Sequence, residues 1–172
     1  MFTATLDLTT RFNGSSTSDP LKARYEIDGS LPRELREEAR DMDWGLFMAT
    51  YAPEPTLKVA LTGERRIDWL NKEYSFDILA APKTSAAQRT SCLTTASGPI
   101  QALSQTLHQH GRYVEVLAFH EISIFEATAT CLKVAHPVKH ARQFWVIGFG
   151  ATPAQSAAAA MSAGAQRIHG NL

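Results

Sequence analysis

The chain has 172 residues, with 17 Lys plus Arg against 17 Asp plus Glu, so its formal net charge is zero. Neither that total nor any local run supplies the concentrated positive charge that meets nucleic-acid phosphate, so a nucleic-acid partner is not expected. Hydrophobic residues make up 44%, enough for a core without metal or disulfide staples, which sets aside disordered and fibrous classes and fits one domain with a smaller appendage.

Residues 3–12 alternate like a strand, 13–20 form a turn-rich loop and 21–27 alternate again, which predicts a hairpin with a long loop. The opening residues lack both a basic and an apolar signal-peptide region, and no stretch nears the roughly 18 apolar residues of a spanning helix. A cytoplasmic protein with no membrane partner is therefore expected, and Cys92 and Cys131, 39 residues apart, are expected to stay reduced. Asp28-Gly29 turns the chain, and Ser30 with Pro32 predicts a helix over 33–51, with Leu31, Leu35, Met42 and Leu46 on its apolar side and the charges of 34–43 solvated. Ala52-Pro53-Glu54-Pro55 breaks that helix and marks a boundary between residues 1–55 and 56–172.

Beyond Pro55 the pattern is three strands and a helix, then three strands and a helix again. The first unit, 56–111, has strands near 57–61, 74–80 and 89–95 and a helix over 99–110 closed by Gly111. The second, 112–172, has strands near 113–119, 129–135 and 143–149 and an alanine-rich helix over 153–168. Gly98-Pro99-Ile100-Gln101 and Thr152-Pro153-Ala154-Gln155, 54 residues apart, each follow a strand and put Pro at the first helical position, where its missing N–H costs nothing. Thr152 with Gln155 is a capping-box pair, and Gly98 with Gln101 a weaker one. The class is α+β: a duplicated βββα unit preceded by a small hairpin-plus-helix subdomain.

Two helix N-termini at equivalent points present backbone N–H groups and positive dipole ends that suit a carboxylate or phosphate. Gly148-Phe149-Gly150 lies between strand and helix but lacks the third glycine and the downstream acid of a dinucleotide fingerprint; its glycines suit close passage of a ligand or of a neighbouring helix. Metal binding is expected neither at His108 and His110, which end a helix, nor at His136 and His140, which Pro137 keeps out of one. His120-Glu121, read at a strand end, is the remaining acid/base candidate, with Glu126 able to join it. Phe119, Phe125, Phe144, Trp145 and Phe149 suit core, or the walls of an apolar pocket.

These stretches resemble the C-terminal region of 2-isopropylmalate synthase, which holds that family's leucine-sensing allosteric and dimerisation domain. Thr95-Ala96-Ser97-Gly98-Pro99-Ile100-Gln101-Ala102-Leu103 is similar to the family's Gly-Asn-Gly-Pro-Leu stretch, and Trp145-Val146-Ile147-Gly148-Phe149-Gly150 to its Trp-Gly-Val-Gly stretch. Residues 157–167 resemble its final helix, while Leu31-Pro32-Arg33, the stretch from Trp44 to Tyr51 and the hairpin over 11–27 resemble its linker subdomain. The resemblance implies paired βββα units, a homodimer and a pocket for leucine or a related branched-chain amino or keto acid. Its carboxylate would sit at Gly98 and Pro99 or at Ala151 and Thr152, near Gly148 and Gly150, with its side chain against Ile100 and Leu103. It implies no cofactor and no metal. The catalytic barrel has no counterpart, so condensation chemistry is not expected; the Met1 start favours a stand-alone relative, with a full-length synthase as a possible partner. The family's acid-rich loop between the fourth and fifth strands is replaced by the more apolar 122–126, and Ser97 stands where the family has Asn. A recruited enzyme using His120 and Glu121 is the alternative.

Overall fold

The computed structural model describes residues 19–81, 86–139 and 141–170. Three short helices come first, α1 (Pro20–Tyr25), α2 (Arg33–Glu38) and α3 (Trp44–Tyr51). The first repeat follows as β1 (Leu57–Arg66), β2 (Lys72–Ala80), β3 (Gln88–Ala96) and α4 (Pro99–Gln109). The second is β4 (Glu115–Ile124), β5 (Ala127–Ala135), β6 (Gln143–Gly150) and α5 (Pro153–His169). Each repeat forms its own three-stranded antiparallel sheet, in the orders β1-β2-β3 and β4-β5-β6. The fold is α+β with duplicated βββα units, as the repeated helix openings predict.

Residues 3–12 lie outside the described residues, and 21–27 is not a strand. Pro20 occupies the first turn of α1 and buried Asp19 caps it, accepting from Leu21 N–H (3.0 Å) and Lys22 N–H (3.1 Å). The other Asp19 oxygen accepts from Leu31 N–H at 2.7 Å, which fixes the chain that leads into α2. A cap and a proline at N1 outweigh seven residues of alternation. The helix predicted over 33–51 is two helices. Asp41 takes a left-handed conformation (φ 63°) between them, and Asp43 starts α3 by accepting from Leu46 N–H at 2.9 Å. That break rotates Leu46 outward, 53% exposed, and turns Phe47 and Tyr51 inward.

The strands β1 and β4 run longer than predicted, to Arg66 and Ile124. The chain between β4 and β5 is thus only Phe125-Glu126, with Phe125 at φ 51°, and His120 lies within β4 opposite Cys131 rather than at a strand end.

Both repeats feed one core. Inward residues of the first sheet (Val59, Tyr74, Phe76, Ile78) and of the second (Leu132, Val134, Val146) meet Leu103 and Leu107 of α4 and the small residues of α5. Helix α5 packs on β5, β6 and β1, with α4 beside it, so it is shared between the sheets. Its Ser162 Oγ accepts from Val59 N–H (3.0 Å) and its Gln166 Oε1 from Thr56 N–H (2.9 Å), which satisfies donors at the edge of the first sheet. The alanine-rich composition is what lets a helix sit this close to two sheets. At Gly148 an added Cβ would run into the backbone of Ser156, Ala159 and Ala160, and at Gly150 into that of Gln155 and Ser156.

A second cluster lies on the opposite face of the second sheet, where Ile122, Ile124, Ala129, Cys131 and Ile147 pack against Leu21, Leu35, Phe47 and Tyr51 of α1–α3. Glu34 is not merely a solvated charge; its carboxylate pairs with Lys133 (2.6 Å) and accepts from Trp145 Nε1–H (3.4 Å). Arg167 of α5 donates to the Trp145 carbonyl (2.9 Å) and lies 4.5 Å from the Phe144 ring centroid and 5.7 Å from that of Tyr51, joining α5, β6 and α3.

Candidate functional site

The repeat places its two helix openings side by side. Pro99 from the start of α4 and Thr152, Pro153, Ala154 and Gln155 from the start of α5 line one cavity of about 470 Å³. The remaining wall comes from the β1–β2 pair: Leu61, Thr62, Gly63, Glu64, Lys72 and Tyr74. That volume is within the range of sites for small organic ligands.

Donors at the helix openings are only partly used. Thr152 Oγ1 accepts from Gln155 N–H at 3.2 Å, half of the expected capping box. At α4 the box closes one residue earlier than predicted, because Gln101 Oε1 takes the N–H (3.1 Å) and the hydroxyl (2.7 Å) of Ser97, while Gly98 as N-cap offers no side chain. No side-chain cap reaches the backbone N–H of Ala154, which lines the cavity, or that of Ile100. Free N–H groups at the first turn of a helix, with the dipole behind them, favour an anion.

Glu64 and Lys72 supply the charge on the opposite wall, paired at 3.2 Å and both about half exposed, so either can exchange its partner for a ligand group. Between them on the inward face of the sheet stands Tyr74, opposite Glu64 in β1 and Thr94 in β3, its ring stacked on Phe76 at 6.3 Å. Burial raises the Tyr74 phenol above its ordinary range, with Lys72 lowering and Glu64 raising it, so the hydroxyl stays protonated and lies within the field of both charges that line the cavity.

The other residues named from the sequence fall elsewhere. Leu103 is fully buried core and Ile100 packs on that core, while neither Gly98 nor Ala151 is part of the cavity wall. A Cβ at Gly98 would meet nothing within 4 Å, whereas Gly148 and Gly150 are spent on the approach of α5 to β6. Gly148 also lines a separate cavity of about 190 Å³ with Pro53, Lys58 and Ser162. Of the aromatic set, Trp145 is buried, Phe149 meets Tyr25 and Trp44, and Phe125 stands 81% exposed.

His120 and Glu121 line a different and more open concavity of about 640 Å³, formed with Glu26, Asp28, Ser123 and Phe125. No hydrogen bond joins His120 to Glu121 or Glu126 among the described residues, so no second group orients its ring. His110 Nδ1 contacts the Thr106 carbonyl oxygen at 2.9 Å, and His136 Nδ1 accepts from Val138 and Lys139 N–H, both local turn bonds. His140 lies outside the described residues, and among those described no group of three or more His, Cys, Asp or Glu is placed to hold a metal. Cys131 packs beneath α1–α3 while Cys92 faces the other core, so the two thiols stand apart; burial, with Asp19 nearby, pushes the Cys131 thiol up to about 12. No helix among the described residues is long and apolar enough to cross a membrane.

Sequence reasoning missed the β1–β2 wall. The usable signal was the row Tyr74, Phe76, Ile78, whose first member brings a hydroxyl to an otherwise apolar inward face. Comparison with protein-family models and with curated proteins finds no match to this sequence.

Proposed function

We propose that this protein is a ligand-binding domain of the type that regulates 2-isopropylmalate synthase, taking a small leucine-like carboxylate, a branched-chain amino or 2-keto acid, in the cavity between its two helix openings. The supporting observation is that cavity itself, where the first turns of α4 and α5 meet the Lys72–Glu64 pair. The ligand carboxylate sits at Ala154 N–H and Lys72, and an amino group, where present, faces Glu64. Leu61 and Pro99 supply apolar wall. In this reading the protein works in the cytoplasm as a homodimer and modulates a partner such as a full-length synthase; it binds rather than transforms its ligand and needs no cofactor.

Thermal unfolding of the purified protein with leucine, isoleucine, valine, their 2-keto acids and 2-isopropylmalate tests this. A ligand at 100 times its Kd adds about 2.7 kcal/mol to stability, a clear rise in melting temperature. A rise that Lys72→Ala removes supports the site; no rise with any member contradicts it.

A second reading rests on the 640 Å³ concavity, in which His120 and Glu121 act as acid and base on another metabolite. Turnover lost in His120→Ala with carboxylate binding intact favours this enzyme.

A further inference from the structure

Among the described residues, the hydroxyls of buried side chains are bonded to protein partners, with one exception. Thr94 pairs with Thr106 (3.1 Å), Thr130 with Ser156 (2.6 Å), Ser162 with the Ala158 carbonyl (2.8 Å) and Tyr51 with Glu38 (3.5 Å). Tyr74 is 1% exposed, and its hydroxyl has no hydrogen-bond partner among the described residues. No buried side-chain polar atom among the described residues lacks a partner, so the Tyr74 hydroxyl keeps some access to solvent, and the cavity that Tyr74 lines is the open space beside this residue. An unpartnered hydroxyl is stable there only while water reaches it. A ligand that fills the cavity with hydrocarbon removes that water and strands the group; a ligand that brings its own polar atom does not.

We infer that Tyr74 is a specificity residue, and that the cavity selects carboxylates carrying a second hydrogen-bonding group, a hydroxyl, carbonyl or amide on the side chain, over isosteric hydrocarbons. This rests on the carboxylate site proposed above and departs from that reading in the side chain, putting a polar group where it has a branched hydrocarbon: the helix openings and Lys72 hold the charged end, and the Tyr74 hydroxyl reads the other. Sites that hydrogen-bond a ligand group reject the analogue that lacks it far more strongly than apolar pockets reject an added hydroxyl.

The test uses two pairs matched in shape, valine with threonine and leucine with asparagine, titrated by calorimetry into the native protein and into Tyr74→Phe, which keeps the ring and its packing on Phe76. The expected result is at least tenfold tighter binding of the polar member of each pair by the native protein. In the Phe variant that preference falls to within about twofold while its melting temperature stays within a few degrees of native. Equal affinities, a preference for valine or leucine in the native protein, or a polar preference that survives in Tyr74→Phe would each overturn the inference and leave the carboxylate site standing. Absence of binding by all four, with no melting response to the keto acids, would overturn both.

Discussion

The two sheets share a plan and differ in what lies on their outer faces. On the first sheet the outward residues of β1, β2 and β3 form ion pairs, Arg65 with Glu73 (2.8 Å) and Arg89 with Asp77 (2.7 Å), and Ser91 also donates to Asp77 (2.7 Å). On the second, the outward residues of β4, β5 and β6 are Ile122, Ile124, Ala129, Cys131, Trp145 and Ile147, and α1–α3 cover them. An antiparallel sheet tolerates water on one side only if that side is polar, so the second sheet obliges the chain to supply a cover and the first does not. The helices before the repeat are thus a structural requirement of one copy, and the inward faces, alike in both, make the shared core and the cavity.

The sharpest contrasts come from single substitutions at equivalent places. Gly150→Ala and Gly148→Ala force α5 away from β6 and should each cost about 3 kcal/mol or more, whereas Gly98→Ala, with open space around it and extended backbone (φ −158°), should cost less than about 1 kcal/mol; urea unfolding of the three variants decides. A valine at Gly150 would meet the same Gln155 and Ser156 backbone. A bulkier residue there disrupts the fold first.

The outer faces can be separated in the same way. Phe47→Ala empties the cover of the second sheet and should cost about 3–5 kcal/mol, while Leu93→Ala, 65% exposed on the outer face of the first, should fall within about 0.5 kcal/mol. Alkaline pH probes the cover through Cys131. Its thiol titrates near 12 when folded and near its ordinary 9 when unfolded, so unfolding releases protons in that window. The stability it contributes is complete below about pH 9 and declines as pH rises toward 12, by a total of the order of 4 kcal/mol; Cys131→Ala should flatten that slope in denaturant melts. Asp19→Ala, which loses three backbone bonds at the entry to the cover, should cost about 1–3 kcal/mol.

Legibility followed locality. The repeat was readable because Gly98-Pro99 and Thr152-Pro153 are short-range signals whose cause, a proline tolerated only in the first turn, lies within four residues. The segment before it was misread because alternation over 21–27 competes with a cap at Asp19 that reaches Leu31, and because a single left-handed residue, Asp41, splits a helix without a glycine to announce it. Half of the site was legible for the same reason as the repeat. Lys72, Glu64 and Tyr74 were not, since their meeting with the helix openings depends on a sheet packing against helices far along the chain. Gly148 and Gly150 were noticed for the right property, room for a close neighbour; the neighbour is α5.

The most direct measurement is a titration of leucine and of its 2-keto acid followed by backbone amide resonances. Binding at the paired helix openings predicts the largest shifts at Ala154 and Gln155, with accompanying changes at Lys72 and Tyr74. Shifts centred instead on His120 and Ser123, or none at millimolar ligand, would contradict the assignment of the cavity as the binding site.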